Sequence, residues 1–198
     1  MSDSHPSQRY PDLTPERLAI VGNILAKERD DAAADHHPER GETEFSLGVS
    51  AWERTKAAII AASQLYTWLS IADGETPGPS QFTFQIGVYA IRFYHGTPEE
   101  TPTRYLLQSD AEQLQIPIEN ALPAEHILRF AIETNAIHRT TNIELIEVDA
   151  YGEVVWRHAV PFSANAEITP FPTTQKSGVD LGAPTVEVIK SVRKTQGE

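Results

Sequence analysis

The sequence predicts an α+β domain, an N-terminal helical pair packed on one face of a mostly antiparallel sheet of about six strands, with an extended C-terminal arm. Three observations predict it. Apolar residues recur at helical spacing before residue 73, the period falls to two after residue 81, and no strand–helix–strand alternation follows. From residue 162 onward the period is lost. The expected organisation is one domain over residues 1–161, with helices at about 14–33 and 51–70 and a sheet at about 81–161, and then an arm over 162–198.

The first helix starts at Leu13-Thr14-Pro15-Glu16, because Thr14 can cap, Pro15 suits the first helical position, and Leu13 can staple onto Leu18. Leu18, Val21 and Leu25 share one face, and past Lys27 the run ERDDAAADHHPERGETE loses its apolar period. For the second helix, Ser50-Ala51-Trp52-Glu53 has the form of a capping box, and helix formers continue to Asp73-Gly74. Its apolar face, Trp52, Ile59, Tyr66 and Leu69, is expected against Phe82, Phe84, Ile91 and Phe93.

In the sheet, QFTFQI and YAIRFYH alternate apolar and polar residues around Gly87-Val88, which suits a two-residue turn with Gly first. Residues 104–108 form a further short strand candidate, and residues 109–126 are ambiguous because Pro117 and Pro123 limit any helix. Alternation resumes at Ile127, and NIELIEVD and EVVWRHAVP are joined by Asp149-Ala150-Tyr151-Gly152, a hairpin turn. The stretch 162–198 holds Pro, Thr and Gly without period, with two apolar clusters, ITPFP and VEVIKSV. It reads as an arm.

Composition excludes several chemistries. The chain has no cysteine, which removes disulfides, thiolate metal sites and thiol nucleophiles. The N-terminus carries no secretory-type apolar stretch and no apolar run reaches the ~18 residues of a membrane helix, so a cytoplasmic protein without a membrane partner is expected. A net charge of −12 repels phosphate backbones, so nucleic acid is not an expected direct partner. Phosphate-binding loops, nucleophile elbows and HExxH are absent, and no cofactor is expected.

Two candidate sites follow from residue types. Gln85, Arg92, Tyr94, Arg129, Glu133 and Arg157 fall on the polar row of the sheet, where arginine forks with Tyr94 and Glu133 can hold an anion. His95 at the end of its strand completes an expected ligand or anion site of Arg92, His95, Arg129 and Glu133. The competing reading pairs these arginines with Glu133, Glu144 and Glu147 across strands. Asp35-His36-His37-Pro38-Glu39, with Glu42 and Glu44, has metal-ligand types but reads as a solvated acidic loop rather than a metal site.

The function expected from these features is a non-enzymatic interaction, accessory or assembly subunit. It acts through a sheet face and through Ile168, Phe171, Val188 and Ile189 of the arm, with a protein partner or a second copy of itself. The alternatives are a small enzyme or ligand binder at the Arg92 site and, third, an acidic mimic of nucleic acid.

Overall fold

A computed structural model describes residues 5–72, 82–106, 126–149 and 151–163. The chain divides into two units, Met1–Ala166 and Glu167–Glu198, and the described residues belong to the first. Ile168, Phe171, Val188 and Ile189 lie outside the described residues.

The helical part opens with a single turn, α1 (Pro6–Arg9), and continues in α2 (Pro15–Ala34), a 3₁₀ turn at Pro38–Arg40, and α3 (Glu44–Ser63). Thr14 caps α2 through its side-chain oxygen with Pro15 in the first turn, as its residue types require. The second helix begins earlier and ends earlier than expected. Thr43 and Ser46 form the capping box: the Thr43 hydroxyl accepts from the Ser46 N–H while the Ser46 hydroxyl accepts from the Thr43 N–H. Ser50 and Glu53 sit inside the helix. Beyond Ser63 the aromatic and branched run Tyr66-Thr67-Trp68-Leu69-Ser70-Ile71 favours an extended chain, and Leu69–Ile71 is strand β1 rather than helix.

Among the described residues the sheet has six strands in sequence order: β1, β2 (Phe84–Ile86), β3 (Tyr89–His95), β4 (Ile127–Thr134), β5 (Thr140–Val148) and β6 (Val154–Ala159). All neighbours are antiparallel except β3 and β4, which run parallel with Ile91 beside Leu128 and Phe93 beside Phe130. A parallel pair needs a long crossover, and residues 96–126 supply it. Within that crossover Thr103–Leu106 forms a helical turn, α4, where a strand was expected, because Pro102 sets up the turn and the Tyr105 N–H bonds back to its carbonyl. The β2–β3 turn places Gly87 at φ +61°, and a Cβ there would lie 2.1 Å from Asp12 Cγ. Only glycine fits that approach.

Two cores lie on the two sheet faces. The larger joins Leu18, Val21 and Leu25 of α2 and Ile59 of α3 to Phe84, Phe93 and Phe130 of the sheet. Trp52 meets Phe82 edge-on at its margin, with ring centroids 6.5 Å apart. On the other face Tyr94, Tyr105, Ile127, Ala131, Ile146 and Val148 form a smaller core, so that face is partly covered rather than solvent-facing throughout.

Candidate functional site

Strand alternation separates the four residues expected to form one site. Arg92 and Arg129 stand side by side in the parallel register on the face of the smaller core, and both are buried. Arg129 donates from Nε to the Tyr105 carbonyl at 2.7 Å and from Nη1 to the Leu128 carbonyl at 2.8 Å. The Arg92 guanidinium lies 5.2 Å from the Tyr105 ring centre, with that of Arg104 at 4.9 Å. Glu133 shares this face and accepts from Asn142 at 3.1 Å. Arg157 is at the exposed edge, paired with Glu99 at 2.7 Å. These arginines hold the crossover against the sheet.

His95 projects from the opposite face, in register with Ile132 and next to Phe93. Burial, with the Arg29 charge adding to it, pushes its pKa down to about 3, so the ring is neutral at ordinary pH. Among the described residues neither of its ring nitrogens has a hydrogen-bond partner, and neither does Arg29 Nε. A neutral, enclosed imidazole cannot serve with Arg92 and Arg129, from which the sheet divides it.

A polar cluster that the sequence reading missed lies around Glu147. This carboxylate is fully buried and receives three groups: Arg9 Nη2 at 2.7 Å, the Tyr10 hydroxyl at 2.5 Å and His126 Nδ1 at 2.5 Å. Burial and the neighbouring carboxylate raise the Tyr10 pKa, so Tyr10 is the donor. Glu147 had been expected on the polar row, but it follows Ile143 and Leu145 on the face opposite Arg129, in register with Leu128 and Trp156. The alternation Ile143, Leu145, Glu147 was the available signal, since a carboxylate on a buried row must find partners. Trp156 next to it stacks on His158, which meets His5 edge-on at 5.1 Å.

In the acidic loop, His36 pairs with Glu42 at 3.1 Å and His37 with Glu39 at 2.9 Å. Among the described residues no three His, Asp or Glu side chains group so as to hold a metal ion.

Among the described residues no strand pairs with the outer side of the sheet's last strand. Val155, Arg157 and Ala159 are exposed while Val154, Trp156 and His158 are half-buried. Since the Val160 N–H donates to the Ile143 carbonyl, alternation turns the N–H groups of Ala159 and Arg157 away from β5. Along this edge runs a cavity of about 320 Å³ lined by Pro98, Glu99 and residues 152–157, with Tyr151 exposed beside it. No helix among the described residues is long and apolar enough to cross a membrane. Set against family models, curated proteins and solved structures, the chain matches none.

Proposed function

We propose that the protein is a non-catalytic interaction subunit, accessory or assembly in role, that holds an extended segment of a partner protein as an added strand on β6. The edge of β6, unpaired among the described residues, carries this reading: outward N–H groups at Arg157 and Ala159, an exposed Val155, and a cavity alongside to take partner side chains. Arg129 on carbonyls, Arg157 on Glu99 and Glu133 on Asn142 have structural employment instead of a catalytic one, and His95 is enclosed on the opposite face. Sequence alone adds a second hold, the apolar residues Ile168, Phe171, Val188 and Ile189, and the cysteine-free composition suits a reducing compartment such as the cytoplasm.

The test is a photo-crosslinking residue at Val155 in the full chain expressed in its own host, combined with Ala159→Pro. Proline there removes an outward N–H without touching the ladder to β5. Crosslinks from position 155 to one protein, protection of β6 amides from exchange in the complex, and loss of both in Ala159→Pro at an unchanged melting temperature are the expected results. Retention of the partner by Ala159→Pro would refute strand addition.

A further inference from the structure

The helix α3 is apolar on two sides. Its inner side, Leu47, Ala51, Thr55, Ile59 and Ala62, is buried in the protein. Its outer side carries Phe45 at 80% exposure, Val49 at 45% and Ile60 at 36%. A surface helix ordinarily turns charged residues outward, and one that is apolar on both sides is covered on both. The outer stripe contains only two charged residues, Glu53 and Lys56, one helical turn apart near its middle.

Independently of the β6 reading, we propose that this stripe is the interface of a homodimer, in which α3 packs antiparallel against α3 of a second copy. The stripe is self-complementary in that direction. An antiparallel register that sets Val49 opposite Ile60 of the second copy also sets Glu53 opposite Lys56, and by symmetry each contact occurs twice. Two apolar layers then flank a centre of two opposite-charge pairs, while Phe45 closes each end. A parallel pairing would bring Glu53 onto Glu53 and Lys56 onto Lys56, so the charges select orientation and register as polar residues do in paired helices. The Lys56 ammonium lies 5.0 Å from the centre of the Trp52 ring, one helical turn away on the same helix. At 20 residues α3 is about 30 Å long, enough for a four-layer seam. An anionic membrane surface fits less well, because the chain carries a net charge of −12.

Sedimentation equilibrium of this chain at roughly 1–100 µM is the direct measurement, and twice the chain mass is expected. Val49→Glu with Ile60→Glu should give a monomer. Glu53→Lys and Lys56→Glu should each weaken the dimer about tenfold or more, and the double exchange Glu53→Lys with Lys56→Glu should restore it. That rescue separates a specific interface from damaged folding. A monomeric wild type, a dimer indifferent to the charge exchange, or a wild type that stays monomeric and instead pellets with anionic vesicles would overturn the proposal. Because Val155 and Ala159 are untouched, partner capture at β6 can succeed or fail independently.

Discussion

The neighbours Arg9 and Tyr10, together with His126, reach Glu147 and tie the N-terminal segment to β5. A buried carboxylate is tolerated only with such partners, and removing one leaves the others unevenly matched. Tyr10→Phe should therefore cost about 1.5–3 kcal/mol in denaturant unfolding, the range for a hydrogen bond to a charged group. His95 gives a second residue-scale expectation. Its folded pKa of about 3 lies below the unfolded value near 6.5, so between these limits the unfolded chain binds a proton that the folded one does not. The associated stability is present in full above pH ~6.5 and falls as the pH drops toward 3, by at most about 1.4 kcal/mol per pH unit. Urea titrations from pH 4 to 7 should show a shallower dependence in His95→Leu than in the wild type; equal slopes would mean that the ring is hydrated in the native state.

At the scale of elements, α2 and the hairpins were legible in the residues. Thr14-Pro15, the Gly87 turn and the alternation in YAIRFYH each point to one local structure, and the folded chain adopts it. The start of α3 was not, because two capping patterns, Thr43 with Ser46 and Ser50 with Glu53, compete in one stretch. Only the first extends the helix back far enough for Leu47 to join Ala32 and Ala51 in a small core. Thr43→Ala should cost about 1 kcal/mol, while Ser50→Ala should stay within about 0.5 kcal/mol. The reverse order in thermal unfolding would restore the later start. The candidate site was half legible: alternation put Arg92, Arg129 and Glu133 together on the face away from the helices, but not the burial of the arginines, and His95 keeps the parity of Phe93 and so cannot share a face with Arg92. Glu147 escaped because its partners, Arg9 and Tyr10, are remote in sequence.

Over the whole molecule, charge and apolar surface are distributed unequally. A chain with a net charge of −12 nonetheless exposes Phe45, Val49 and Ile60 along one helix and Val155 on β6, with Tyr151 in the turn that leads into it. Scattered apolar residues need no explanation, whereas a row along an element does. The two rows lie on different elements, so a dimer built on one leaves the other open, and the assembly would present two copies of the β6 edge. Binding of a bivalent partner would then gain from effective concentration as well as contact.

The parallel pairing of β3 with β4 has a kinetic consequence. Strands β1–β3 are neighbours in sequence and so are β4–β6, so each trio can assemble through short-range closures, while the junction between them must wait for residues 96–126 to be drawn across. That junction is therefore expected to close last. Ile91→Val and Leu128→Val, which trim the pair facing each other across it, should quicken unfolding and leave the refolding rate nearly unchanged, whereas Ile143→Val, inside the second trio, should slow refolding. If instead both classes slow refolding equally, the sheet closes as one piece, and the order in which its strands meet is set by the helices above it.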